Sequence, residues 1–420
     1  MTTTSRLPGF HNLSRADRLD RIATETGLTP AQRAHLAATA AHDGDLADNL
    51  AENVISVMAV PLGVATNLIV DGRDVLVPMA TEESSVIAAV CNGALACRDS
   101  GGVTTESDPP CMIAQIQVTG LGDFDAARDA LLAQRAEIAA RCDACDPLLV
   151  RLGGGFRDLE IRIIEPFLIL HLIVDVRDAM GANAINTMAE RLAPFVEEVT
   201  GGGVGLRILS NLADRRLVRA RAIWPADGIG AEVVEAMLGA FAFAAADPYR
   251  AATHNKGIMN GIDAVALATG NDTRALEAGA HAFAARGGYR PLTRFARTPQ
   301  GDLLGEIELP VPVGTIGGAT RAHPTAQAAL KIIGAPGADR LARVMAAVGL
   351  VQNFSAMRAL ATEGIQRGHM GLHARNVAIA AGATGARIDE IAAGMIARGE
   401  IGEDTARALL AGGHAARPGG

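Results

Sequence analysis

Apolar residues repeat along this chain with two periods, and the switches between them mark its elements. Residues 1–40 read as two short helices. Ser14 is placed to cap the first, and Thr29 with Pro30 has the N-cap and N1 pattern for the second. A third segment follows at 46–57. Two strand-like runs come next, VATNLIV and RDVLVPM, joined by Asp71-Gly72, a common hairpin pair. Residues 84–98 are Ala-rich and helical, with Ser84 or Ser85 at their start. The polar, turn-rich SGGVTTESDPP at 100–110 reads as a linker.

The next hundred residues have a simple rhythm. Alternation predicts strands at 112–118 and 159–163, and a nearly continuous apolar run predicts another at 167–176. An amphipathic helix fits 125–141, with Asp123 as its cap, and a second helix fits 182–199 before a strand at 204–209. That order is βαββαβ, the ferredoxin-like pattern. No GxGxxG follows a strand, so the unit is not a Rossmann unit. A helical style resumes after Ser210, so the unit reads as an insertion. From 231 onward the chain is mainly helical, interrupted by LLGEIELPVPVG and the glycine-rich GTIGGAT at 314–320. A long helical stretch at 325–380 breaks at Pro336. The tail at 388–411 reads as two short helices joined near Gly399. It resembles a helix-turn-helix only superficially, because it lacks a basic face. The fold class is α+β: a mainly helical large domain (1–109 and 211–366), an inserted ferredoxin-like domain (110–210), and a C-terminal helical segment (367–420).

Composition narrows the reading. Only 3% of residues are aromatic, so the core rests on Ala, Val, Leu, Ile and Met. A net charge of −8 without a basic block argues against nucleic acid and anionic membranes as partners. No run of 18 apolar residues lacks Pro, Asn or a charge, so no membrane span is expected. The N-terminus has no apolar signal-peptide core, and a cytoplasmic location is expected. The five cysteines are too sparse and odd for a disulfide framework. Cys142 and Cys145 form a CxxC at the end of a helical pattern. A low thiol pKa needs a helix start instead.

Four acid-base elements stand out. Glu82-Glu83 lies between a strand and a helix, where a carboxylate can serve the helix dipole. The stretch 247–272, DPYRAATHNKGIMNGIDAVALATGND, places Lys256 among small and apolar residues. Such a lysine either snorkels to solvent or needs a carboxylate partner or a chemical role. Asp272 follows a Gly-Asn turn and is equally readable as the cap of the next helix. His369 and His373 share a helix face, but Met370 stands where a zincin carries Glu, so no metal is expected. The segment VRDAMGAN at 176–183 is a strand-to-helix junction whose free amides suit an anion such as pyrophosphate. No GxSxG nucleophile elbow is present.

Taken together, the segments resemble one family, 3-hydroxy-3-methylglutaryl-coenzyme A (HMG-CoA) reductase in its bacterial class II form. They are SRLPGFHNLS, ENVI, GRDVLVPMATEES, LGGGFRDLE, HLIVDVRDAMGANAINTMAERLAP, SNLADRR, the 247–272 stretch, VGTIGGAT and ALATEGIQRGHMGLHARN, in order over almost the whole chain. The resemblance implies NAD(P)-dependent interconversion of HMG-CoA with mevalonate and CoA. Two hydride transfers would pass through a thiohemiacetal and mevaldehyde, in the reductive or the mevalonate-degrading direction. It implies Lys256 as the cation for the developing alkoxide, Glu83 as proton donor and acceptor, Asp272 as a bridge between them, and His369 as proton donor to the CoA thiolate. Arg250 would hold the HMG carboxylate, and Ser85, Asn211, Thr253 and Asn260 match other substrate contacts. Asp178, Met180, Gly181, Ala182 and Asn183 match the dinucleotide loop. Asp146 matches an acid for the adenosine ribose, which favours NAD over NADP, with Asp143 close by in sequence. The large domain would bind HMG-CoA, the small one NAD, and the C-terminal segment would act as a mobile flap hinged at His369. A homodimer, or an assembly of dimers, with shared active sites is implied.

The chain departs from the family pattern at His11, where Arg is frequent near CoA phosphates, at Ser56 after ENVI, and at Ser84 after the catalytic Glu. The hairpin after Asp158 is also short. None of these touches the four acid-base residues. Two rival readings are a lyase using Lys256 as a Schiff-base nucleophile and a non-enzymatic CoA-binding protein.

Overall fold

The structure is a computed structural model that describes residues 5–362 and 365–412, without the side chains of 319, 365–370, 372 and 412. Among the described residues, ten strands form two sheets. The larger has the order β2-β1-β3-β8-β10-β9, made of β1 (Leu62–Val70), β2 (Arg73–Ala80), β3 (Val103–Ser107), β8 (Leu217–Trp224), β9 (Thr293–Arg297) and β10 (Leu303–Pro310). The smaller has the order β5-β6-β4-β7, made of β4 (Cys111–Thr119), β5 (Gly155–Ile164), β6 (Phe167–Asp175) and β7 (Gly203–Ser210). All its neighbours are antiparallel, and its helices pack on one face, as the ferredoxin-like pattern requires.

Local signals explain most elements. Ser14 caps helix Arg15–Thr26, and Thr29 with Gln32 forms a full capping box on helix Pro30–Leu50. Val70 pairs with Arg73 across Asp71-Gly72, and both turn residues have positive φ, as a tight hairpin requires. Asp123 caps as expected, but the predicted 125–141 helix is two, Phe124–Ala133 and Arg135–Asp143, meeting at Gln134. Helix Pro30–Leu50 also runs through the start of the separate segment expected at 46–57.

The predicted linker at 100–110 is wrong. Its VTTES is strand β3, paired antiparallel with β8 from Val103–Ala222 to Ser107–Val218. β8 and β9 also lie where a helical style was expected. These strands are short or charged on one face: Arg219 and Arg221 alternate with buried Val218, Ala220 and Ala222. The pairing shows how the smaller sheet is inserted. The chain leaves through β3 and returns through β8, its immediate neighbour.

Helix Ala338–Ala361 occupies the middle of the larger core. By length and composition alone it could cross a membrane, but 67% of its apolar window is buried inside the fold. Trp224, the only tryptophan, stacks on its Phe354 with ring centroids 4.2 Å apart. The helix crosses helix Pro248–Ala268 where both carry glycine. A Cβ on Gly349 would lie 2.9 Å from Ile262 Cδ1, and one on Gly261 would lie 3.0 Å from Val348 Cγ1. The C-terminal helices Ile365–Ala380, Arg387–Arg398 and Glu403–Gly412 share a small cluster of their own around Ile391, Met395 and Ala406.

The buried polar groups set a pH response. Burial, with the Arg250 charge nearby, pushes the His254 imidazole down to about 3. The unfolded chain therefore takes up this proton first as pH falls below about 6.5, and stability is lost from there down to about 3. Asp263 behaves oppositely. Burial and the neighbouring Glu277 carboxyl raise its pKa, so its contribution is lost as pH rises above the unfolded value of about 4. Denaturant midpoints followed by Trp224 fluorescence are expected to show both effects. His254→Gln should flatten the acid-side loss, by up to about 5 kcal/mol. Asp263→Asn should flatten the loss on the alkaline side. Unchanged slopes would contradict these assignments.

Candidate active site

Helix Pro248–Ala268 supplies most of the site. Asp247 caps it by accepting from the Tyr249 and Arg250 amides at 3.3 and 3.1 Å, and Pro248 takes the first helical position. Arg250, Thr253, His254, Gly257 and Asn260 recur at the helical three- and four-residue spacing and line a cleft of about 400 Å³. Its other walls are Glu83, Ser85, the first two turns of helix Val86–Arg98, and the 352–360 stretch of the central helix. Six residues expected from sequence thus converge: Glu83, Ser85, Arg250, Thr253, Lys256 and Asn260.

Lys256 Nζ donates to Glu83 Oε2 at 2.9 Å. The lysine side chain is 59% exposed and the glutamate 39%, so the pair stands at an open mouth. Glu83 is placed by the turn after β2, where its amide donates to Thr81 Oγ1 at 3.1 Å. Ser85 occupies the N-cap position of the next helix in the left-handed region, with φ 74, and makes no capping bond. The Ser85 hydroxyl is thus not spent on the cap. Arg250 is half-buried, and burial alone lowers its pKa. Among the described residues nothing accepts from its guanidinium. A partly desolvated cation without a counter-ion suits an incoming carboxylate.

Asp272 is not part of this cleft. Its Oδ1 accepts from the Arg274 and Ala275 amides at 3.0 and 3.2 Å, capping helix Thr273–Ala284. The expected bridge to Glu83 and Lys256 is absent among the described residues, and the reason is length. Twelve residues of helix separate Lys256 from Ala268, about 18 Å of rise, and Asp272 lies beyond that end. Asn211 is also elsewhere. Its carbonyl lies where a Cβ on Gly279 of the Asp272 helix would fall.

The 178–183 loop gathers near Asp272. Asn271 Oδ1 accepts from Gly314 N at 2.8 Å, Thr315 N donates to Asp178 O at 2.9 Å, and Gly314 approaches Met180 N too closely for any Cβ. The Asp178 carboxylate is used within the fold, accepting from Ala338 N at 2.8 Å. Arg216, almost fully buried, donates to Ala179 O at 3.1 Å and Val313 O at 2.6 Å. Gly181, φ 98, opens helix Ala182–Thr200 without a side-chain cap. The structure therefore places the expected residues in two separate groups: the Lys256 cleft, and Asp272 with the 178–183 loop.

Asp146 caps the short helix Pro147–Arg151 through Leu149 N at 2.9 Å, while Asp143 accepts from Phe156 N at 2.7 Å. His369 belongs to helix Ile365–Ala380 by its backbone, and its side chain lies outside the described residues. His373 is exposed. Burial pushes the Cys142 thiol up to about 12, which disfavours the thiolate that redox chemistry requires. A larger groove of about 910 Å³ lies along β3, β8 and β10, and none of the expected residues lines it. Its Arg219 pairs with Asp108 and Glu308. Sequence reasoning assigns no role to His254 or Gln352, which are buried in the cleft wall. The available signal was His254 standing one turn after Arg250.

The hydroxymethylglutaryl-coenzyme A reductase family profile matches residues 14–374. The chain is 55% identical over 411 residues to the 3-hydroxy-3-methylglutaryl-coenzyme A reductase of Archaeoglobus fulgidus, covering 97% of this chain and 94% of that protein. It is 36% identical over 349 residues to the probable 3-hydroxy-3-methylglutaryl-coenzyme A reductase of Borreliella burgdorferi, covering 79% and 78%. Among solved structures it is similar to the class II enzyme of Streptococcus pneumoniae bound to NADPH in open conformations. The TM-score is 0.76 at 37% identity, over 95% of this chain and 99% of that one. With the Lys256–Glu83 pair and the cleft around it in place, the chain belongs to the hydroxymethylglutaryl-coenzyme A reductase family, in its class II form.

Proposed function

We propose that this protein interconverts HMG-CoA and mevalonate plus CoA with a nicotinamide cofactor. The observation that carries the reading is one cleft joining the Lys256–Glu83 pair to an arginine with no counter-ion among the described residues. Arg250 takes the free carboxylate of the HMG group, and Ser85, Thr253 and Asn260 fix its orientation. The Lys256 ammonium holds the thioester oxygen as charge develops on it. Glu83, 2.9 Å away, exchanges a proton with that oxygen as the thioester is reduced to the thiohemiacetal and, once CoA has left, as mevaldehyde is reduced to mevalonate. His369 protonates the departing CoA thiolate. A Schiff-base role for Lys256 is disfavoured, because its ammonium is ion-paired and largely exposed rather than dry.

The 178–183 loop suits a dinucleotide. Helix Ala182–Thr200 starts behind a glycine with no side-chain cap, so its first amides are open to pyrophosphate. A nicotinamide dinucleotide held there would supply or accept the hydride. Asp146 supports NAD, since a carboxylate repels a 2′-phosphate; NADP is the alternative, and steady-state assays with each decide between them.

The distance between the two groups of residues supports a homodimer in which Asp272 and Asn211 reach the Lys256 cleft of a second copy. The separate cluster of the C-terminal helices supports 367–420 as a closing flap, beside a large domain at 1–109 and 211–366 and a small one at 110–210.

Lys256→Ala is expected to keep the fold and lose turnover by at least about 100-fold, since one preorganised charge contributes roughly 3 kcal/mol or more. Near-normal activity would sink the assignment. For His369→Gln the thioester step should slow while reduction of free mevaldehyde survives; equal loss of both would contradict the thiolate role. Lys256→Ala and Asp272→Asn, each inactive alone, should regain about a quarter of wild-type activity when refolded together, because a mixed dimer holds one intact site. No recovery would place both residues in one subunit's site.

A further inference from the structure

The wall of the Lys256 cleft holds two polar atoms that the reaction above leaves unused. His254 and Gln352 both line the cleft and are 1% and 4% exposed. Each keeps one buried atom without a partner, His254 Nδ1 and Gln352 Oε1. Both are acceptors. Thr293 Oγ1 gives its only proton to Asn353 Oδ1 at 2.9 Å, so at 2.6 Å from His254 Nε2 it accepts. Nε2 therefore carries the ring proton, and Nδ1 presents a bare lone pair. Burial keeps the ring neutral down to about pH 3, so this acceptor persists across the working range. A buried acceptor left unpaired costs about 1–3 kcal/mol, which a donor on the ligand would recover.

The substrate offers few donors. In the HMG group the carboxylate and the thioester carbonyl only accept, and the tertiary 3-hydroxyl alone donates. We propose that His254 Nδ1 and Gln352 Oε1 form an acceptor subsite for that hydroxyl, and that they set the preference for 3-hydroxy acyl thioesters. The inference rests on the reductase reading above. Both residues are specificity residues, separate from the group that transfers protons at the thioester.

The test compares HMG-CoA with 3-methylglutaryl-CoA, which lacks only the hydroxyl. Wild-type enzyme is expected to prefer HMG-CoA by at least about 100-fold in kcat/KM, because a site built to bond a hydroxyl rejects the analogue that lacks it. His254→Phe or Gln352→Leu should cut this preference by about tenfold or more through HMG-CoA alone, with kcat/KM for 3-methylglutaryl-CoA unchanged. A preference that survives in both variants shows acceptors filled by resident water and overturns the subsite. Equal losses on both thioesters show a purely structural role and overturn it too. Should His254→Phe fail to fold, as read by Trp224 fluorescence, Gln352→Leu decides alone. A wild-type protein that turns over neither thioester overturns the reductase reading instead.

Discussion

The length of one rigid helix governs this site. Helix Pro248–Ala268 carries Arg250, Thr253, Lys256 and Asn260 in its first half and delivers Asp272 beyond its far end. Its 21 residues are capped by Asp247 and Pro248 at the start. They are pinned in the middle by the glycine crossing with helix Ala338–Ala361. No side chain spans the remaining distance. The Asp272 carboxylate is therefore kept from Lys256 within one chain: Arg250 is left without an acceptor among the described residues, while Asp272 pairs with Arg274 at 3.3 Å.

The same crossing shapes the cleft. Glycine at 261 and 349 brings the two helices close, so Gln352 and Asn353 come within reach of the substrate side of the lysine helix. The polar groups caught there are bonded in series, His254 to Thr293 to Asn353, and the series leaves one imidazole nitrogen open. Packing density and binding chemistry thus have one origin. The inserted unit is tied to this frame at the 178–183 loop. Arg216, Thr315 and the Ala338 amide bind that loop from the large-sheet side. Arg216 does so as a buried cation, its pKa lowered to about 10 by burial. Neutral carbonyls, not a carboxylate, accept its bonds.

Local signals were legible where a side chain acts on its own backbone. Ser14, Thr29, Asp123 and the Asp71-Gly72 turn behave as their sequence neighbourhood dictates. The ferredoxin-like order was legible because buried strands and amphipathic helices alternate there without interruption. β3, β8 and β9 were not. Each is short or has charged residues on its outer face, and a strand of that kind is defined by its partner rather than by its own pattern.

By itself the sequence determined the residue types, the caps, the periodicities and the nine segments that identify the family. Those fixed which residues are chemically competent, Glu83, Arg250 and Lys256 among them. Only the tertiary structure decided which of these meet. Glu83 and Lys256 are 173 positions apart and touch at 2.9 Å, while Lys256 and Asp272, 16 positions apart, do not touch at all. A helix converts sequence separation into a fixed distance, whereas a turn beside a packed helix can cancel any separation. That is why Asp272, which the family resemblance implies as a bridge, does not reach Lys256 within one chain, and why separation was no obstacle at Glu83.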